Sequence, residues 1–474
     1  MSLAIVWFRR DLRLRDNPAL AAALANHAQV LPVYIHAPDE EGTWPAGAAS
    51  AWWLHHALAD LAKLLSARLL LRHGPTTDTL LQLATATGAA AVYWNRLYEP
   101  AAIARDTQLK RALRAAGLQA SSHNAALLAE PWEVSNKQGE PYRVFTPFWK
   151  ALGARGLAHG PCAVPSLQRR LLSVQRVAAL APVALDEFGL LPAIRWDEGM
   201  AAAWQPTRAA AEARLDEFLA DGLRHYRDGR DLPGRDWVSR LSPYLHFGQL
   251  GPREVVAAVR GERVGGEDFL RELGWREFAH HLLYHFPHTS EQPMDGRFAV
   301  FPWREDKAQL RAWQRGRTGI PLVDAGMRQL WATGWMHNRV RMIVASFLSK
   351  NLLLPWHEGA RWFWDTLVDA DLANNSLGWQ WTAGSGADAA PYFRVFNPVL
   401  QGERFDAHGT YVRQWVPELA AVPDKWLHKP WQAPKGVLSE AGVVLGTDYP
   451  CPVVDLQASR ERALAAWGKI KNSR

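Results

Sequence analysis

Four segments of the 474-residue chain gather side chains able to do chemistry. The densest is DADLANNSLGWQW, residues 369–381, which places two acids, two asparagines and two tryptophans within thirteen residues. If this segment is helical, Asp371, Asn375 and Trp379 follow at i, i+4 and i+8 and line one stripe. A buried carboxylate must be paired or neutralised, and Arg341 is the expected partner of Asp369. Metal ligation is not indicated, because the segment contains neither His nor Cys. In FLRELGWREF, residues 269–278, Glu272, Trp275 and Arg276 share a helical face. An acid, an indole and a guanidinium so placed would grip a planar, hydrogen-bonding substrate. Without further context, a solvated salt bridge beside a core tryptophan carries more weight. In GWMHNRVRM, residues 334–342, Asn338, Arg339 and Met342 face the same way and offer partners for a base edge and a phosphate, with a helix-capping Asn as the competing reading. Between Gly222 and Pro252, Tyr226, Arg230, Ser239, Arg240 and Ser242 form a polar stretch whose hydroxyls and amides suit a phosphate. Ser242 ahead of Pro243 reads more readily, on local grounds, as an N-cap.

The elements that must hold these residues differ along the chain. Over the first 130 residues, short apolar runs at Leu3–Phe8, Val30–His36, Arg68–Arg72, Ala91–Asn95 and Gln119–His123 alternate with helical patterns. Those patterns cover Pro18–Asn26, Ala49–Ser66, Thr76–Thr87 and Ala101–Ala116. This is an α/β, doubly wound parallel sheet of Rossmann-like type, which binds ligands at the carboxyl ends of its strands. No G-x-G-x-x-G follows the first strand, which argues against a dinucleotide there. From Glu130 to Pro206 prolines recur and periodicity fades, as in a long connector. After Thr207 helical periodicity dominates. The expected division is 1–131 for the α/β domain, 132–206 for the linker and 207–474 for an all-helical domain.

Net charge is +7, which favours a polyanionic partner if the basic residues gather on one face. The two cysteines, Cys162 and Cys451, build no disulfide framework and suit a reducing, cytoplasmic setting. Arg9, Arg10, Arg13 and Arg15 follow an apolar run, the reverse of a signal peptide's order. No stretch reaches the length a membrane span needs. Tryptophan, at 24 copies, is the compositional outlier.

Taken together, VWFRRDLRLRDNPAL, TGWMHNRVRM, DADLANNSLGWQW and PYFRVFNPVLQGERFD, in this order, resemble the signatures of the photolyase and cryptochrome family over essentially the whole chain. The resemblance implies an FAD in the helical domain. By motif position Tyr226, Ser239, Leu241 and Ser242 would hold its phosphates, and Arg341, Asp369, Asp371 and Asn375 would line the ribose and isoalloxazine; Phe269 and Arg276 join the same set. Val238 replaces the family's frequent Thr, so only a backbone contact is expected there. Glu272, Trp275, Asn338, Met342 and Trp381 would line the substrate face, with the two indoles stacking on a lesion flipped out of UV-damaged DNA. Arg230, Arg339, Arg394 and Arg404 would contact phosphates. Trp379, Trp356 and Trp303 match the family's electron-hopping chain.

Within the family, six-four repair enzymes place a histidine pair where Asn338 and Met342 stand here, which points to cyclobutane pyrimidine dimers. WPAGAASAWWLHHAL and LGTDYPCPVVD are similar to plant cryptochromes, yet Trp275, Trp381 and Asn375 are retained. The expectation is therefore a monomeric class III-type photolyase rather than a cryptochrome blue-light receptor. For the antenna, the usual folate-clasping positions fall on Ala101 and Ala102. A 5,10-methenyltetrahydrofolate held differently, stacked on aromatics such as Trp52 or Trp53, is expected, with 8-hydroxy-5-deazaflavin as the alternative; packing of the helix against the sheet is the competing reading of those two tryptophans.

Overall fold

The computed structural model describes residues 2–156, 160–163, 167–260, 265–388 and 393–471. Five parallel strands, β1 (Leu3–Phe8), β2 (Gln29–His36), β3 (Leu70–His73), β4 (Ala89–Asn95) and β5 (Gln119–His123), lie in the order β3-β2-β1-β4-β5. The helices between them are α1 (Pro18–Asn26), α2 (Ala48–Leu64), α3 (Thr76–Thr87) and α4 (Pro100–Ala115). β1 is buried along its whole length, because helices cover both faces of a parallel sheet. Beyond residue 207, no named strand occurs among the described residues.

The sheet's order reverses between β1 and β4, the usual ligand-binding point of such folds. Here that point is occupied by the protein's own groups. Asn95 Nδ2 donates to Asp11 at 2.6 Å and to Asn17 at 2.7 Å, and Arg9 lies 4.3 Å over the Trp7 ring while pairing with Asp106 at 2.9 Å. The first sequence signature is thus a framework. Its buried Arg13 donates to the carbonyls of Asp16, Ala125 and Gly248 at 2.7, 2.8 and 2.9 Å, joining β1 to a segment more than 230 residues away. Gly248 has φ +66°, and a Cβ there would come within 2.3 Å of the Arg10 carbonyl oxygen, so both conformation and space demand glycine.

The stretch read as a connector contains a helix, α5 (Phe145–Ala154). Its prolines suggested a break, but Pro147 falls in the first helical turn, where no amide donor is required. Phe145, Phe148 and Leu152 supply the buried face. Close packing groups the chain into two compact units. One compact unit comprises Met1–Arg224, Ser239–Pro287 and Val368–Ala373, and the other His225–Val238, His288–Leu367 and Asn374–Arg474.

Candidate active site

Within the first unit, Arg240 adopts a left-handed φ of +50° and Leu241 follows at φ −85°, ψ −6°. Alternation of these two conformations turns successive amides to one side and forms an anion-binding concavity. Arg214 Nε donates to the Ser239 carbonyl at 2.9 Å and fixes the turn. Ser242 is the first residue of the Ser242–His246 helix and not its cap, which is Leu241. Its hydroxyl donates instead to Asp369 Oδ2 at 2.6 Å.

Asp371 lies two residues further on, buried between His246 Nδ1 at 3.4 Å and His280 Nε2 at 3.5 Å. Burial opposes its charged form, but His280 and His246 outweigh this and hold its carboxyl well below the usual carboxylate range. Burial likewise works against a charged His280, yet the Asp371 carboxylate raises its pKa above the ordinary 6.5. The Leu372–Ala383 helix begins after Asp371, so the expected three-residue helical stripe is two helical residues, Asn375 and Trp379, preceded by an acid.

The Gly266–His285 helix carries Phe269, Glu272, Trp275 and Arg276. Arg276 Nη1 donates to the Ala126 carbonyl at 2.7 Å and pairs with adjacent Glu277 at 3.4 Å. Phe269 is buried against Phe218, with ring centroids 4.7 Å apart. Both observations give these residues a framework role alongside the flavin contact implied for them.

Within the second unit, Tyr226 is buried in the Leu223–Gly229 helix, with the Arg230 guanidinium 5.9 Å from its ring, and Val238 is half-buried. The Asn338–Ser346 helix is capped by His337, whose ring accepts from the Arg339 amide at 3.2 Å. Asn338 is therefore the exposed first helical residue and not a cap, with Met342 one turn on. Arg339 Nη2 pairs with Asp231 at 2.6 Å and lies 4.6 Å from the Phe405 ring, so its charge is already engaged. Arg341 Nε donates to the Met336 carbonyl at 2.7 Å. Arg394 and Arg404 are exposed, the former in a signature whose Pro391 and Tyr392 lie outside the described residues.

Asn375 Nδ2 donates to the Ala360 carbonyl at 3.0 Å, which orients its Oδ1 as the available acceptor. Trp379 is buried against Phe363 and Trp313, at centroid distances of 5.0 and 6.1 Å. Trp356 stacks on His357 at 3.8 Å, and half-buried Trp303 sits 4.4 Å from Phe301, so none of these three tryptophans stacks on another. Trp381 Nε1 donates to the Asp388 carbonyl at 3.1 Å.

Two further points correct the sequence reading. Trp52 and Trp53 are almost wholly buried, and their indole N–H groups donate to Asp197 at 3.1 Å and Gln249 at 2.9 Å. They are core residues with no face left for a chromophore. Conversely, spacing gave no hint of His246 and His280, because a carboxylate's histidine partners from two different helices leave no local pattern.

Comparison with known proteins decides the family. Residues 4–166 match the model of the DNA photolyase domain and residues 269–469 that of the FAD binding domain of DNA photolyase. A deoxyribodipyrimidine photo-lyase of Agrobacterium fabrum is 47% identical over 99% of this chain and 98% of its own length. The chain belongs to the photolyase and cryptochrome family. Arabidopsis thaliana cryptochrome-2 is 41% identical over 99% of this chain and 79% of its own. The crystal structure of a bacterial class III photolyase from Agrobacterium tumefaciens superposes with a TM-score of 0.94 at 46% identity, covering 100% of this chain and 98% of that one. The photolyase fold, an α/β domain followed by a helical FAD domain, is thus shared along the chain. Among the described residues, no helix is long and apolar enough to cross a membrane.

Proposed function

We propose that this protein is a light-driven lyase that reverses cyclobutane pyrimidine dimers in DNA, with FAD as its cofactor. What supports the reading is, in each unit by itself, the residue types at the family's substrate positions. In the first unit Glu272 and Trp275 lie half-buried on one helix, and in the second Asn338 is exposed at a helix start with Met342, rather than a histidine pair, one turn on.

The residues present fit FAD. The Arg240–Leu241 turn offers amides to a phosphate, Asn375 offers an oriented acceptor to a ring N–H, and the Asp369 and Asp371 carboxylates suit ribose or ring donors. When bound, FAD supplies the light-absorbing electron donor that no side chain provides. The protein's own part is to bind and orient. Trp275 and Trp381 offer ring faces to the two extruded bases, which offsets part of the unstacking cost, about a few kcal/mol. Asn338 donates to a base carbonyl and Glu272 accepts from an imide N–H, which holds the dimer in place while negative charge developing on it meets the Asn338 donor. Arg394 and Arg404 contact the flanking phosphates, while Arg339 supports this face through Asp231. Trp379, Trp356 and half-buried Trp303 form the route by which the surface replaces electrons.

For the second chromophore we keep 5,10-methenyltetrahydrofolate, bound elsewhere than on Trp52 and Trp53. 8-Hydroxy-5-deazaflavin is the alternative, and the absorption spectrum of the extracted chromophore distinguishes the two. Substrate class is tested by offering the protein two duplexes, one with a cyclobutane thymine dimer and one with a six-four product. Repair of the first alone is expected, and repair of the second alone would overturn the assignment.

A further inference from the structure

The ring assigned to lesion stacking is itself stacked from behind. Phe145 of α5 lies 3.8 Å from Trp275, centroid to centroid, at an interplanar angle of 7°. Phe145 is fully buried, so the contact is fixed, whereas Trp275 remains half-buried. Phe278 meets both rings edge-on, at 5.8 Å from Phe145 and 5.9 Å from Trp275. Among the described residues no second ring stacks on Trp275, and the indole is half-buried. Behind Phe145, Trp149 runs nearly parallel at 11° and the Arg271 guanidinium lies 5.0 Å from the Phe145 ring. Gly274 admits this arrangement, because a Cβ there would fall 2.4 Å from the Trp149 ring.

A single tryptophan on a helix surface rotates about two side-chain torsions, and a flipped base stacks well on only one of the resulting orientations. A coplanar ring at van der Waals distance on one face blocks the rotation that would carry the indole through that space. We propose that Phe145 is a positioning residue for Trp275: it fixes the plane of the substrate-stacking indole and leaves only the opposite face to the damaged bases. This inference rests on the reading of Trp275 as the lesion platform. It gives α5, in the stretch that looked like a connector, a part in substrate recognition.

The test is a double-mutant cycle in the FAD-loaded, full-length protein. Dissociation constants are measured for a duplex with one cyclobutane thymine dimer and for the same duplex undamaged, using wild type, F145L, W275A, F145L/W275A and F148L. Phe148 is a buried control on the same helix that contacts Phe278 and His281 but not Trp275. F145L should weaken lesion binding about three- to tenfold, the range expected for an aromatic pair, with undamaged DNA unaffected. It should have no further effect in the W275A background, and F148L should leave lesion binding unchanged. Should F145L not fold, F145M carries the same comparison. Unchanged lesion affinity in F145L, full additivity with W275A, or an equal loss in F148L overturns the proposal. If W275A alone binds the lesion as wild type does, the platform reading itself fails, and the support role falls with it.

Discussion

In the proposed reaction Glu272 and Asn338 make the polar contacts to the dimer, and both lie on exposed or half-buried parts of helices rather than in a core. Glu272→Ala should reduce repair yield per absorbed photon by about tenfold, the scale of one lost hydrogen bond to a charged group, while changing lesion affinity little. Equal yields in mutant and wild type would remove Glu272 from the reaction. His280 permits a second test at this scale. Its folded pKa is raised above 6.5, so the stabilisation it brings is fully present below pH 6.5 and is lost as pH rises through the folded value. His280→Asn should therefore lower the melting temperature at pH 6 and lose that difference progressively in alkaline buffer. A constant gap across pH would contradict a charged His280. Glu272, Trp275, Asn338 and Asp371 were legible in sequence as types and spacings. The histidines around Asp371 were not, since they come from separate helices and obey no period.

Helices and strands were the most legible features, because hydrophobic period and strand length reinforce each other in β1 to β5 and α1 to α4. The exceptions have local causes. The Asp371, Asn375, Trp379 spacing fits a helix, but the chain enters that helix only at Leu372. His337 replaces the expected Asn as a cap, an unusual choice that residue preferences do not flag. Helix contact also explains a glycine that looks dispensable in sequence. On the Trp356–Thr366 helix, a Cβ at Gly359 would lie 1.9 Å from the Trp379 ring, so Gly359→Ala must displace that indole or the helix. The expected result is a loss of about 1–3 kcal/mol in stability with slower photoreduction of oxidised flavin, read by calorimetry and flash absorption. Unaltered stability and kinetics would show that the two helices are not held at this distance.

At the scale of the whole molecule, a net charge of +7 suits a polyanionic partner, yet much of the conspicuous basic sequence is committed internally. Arg9, Arg10 and Arg13 all sit in buried or partly buried ion pairs, and Arg339 is paired with Asp231. Arg394 and Arg404 are exposed and are the phosphate contacts proposed above. Replacing either by Ala should weaken damaged and undamaged DNA alike and reduce the slope of log affinity against log salt by about 0.9. An unchanged slope would exclude that residue from the DNA face. Family membership was legible across the chain from four ordered signatures, whereas the Arg13 to Gly248 hydrogen bond was not, because it joins residues more than 230 positions apart.

The central claim is repair driven by light, and one measurement addresses it most directly. The reduced, FAD-loaded protein is illuminated with near-ultraviolet and blue light on an oligonucleotide bearing a single cyclobutane thymine dimer, beside an identical dark sample. The account predicts that intact thymines reappear in proportion to absorbed light and that none reappear in the dark. Tight binding of the lesion without repair in either sample would contradict it and leave a photoreceptor in place of an enzyme.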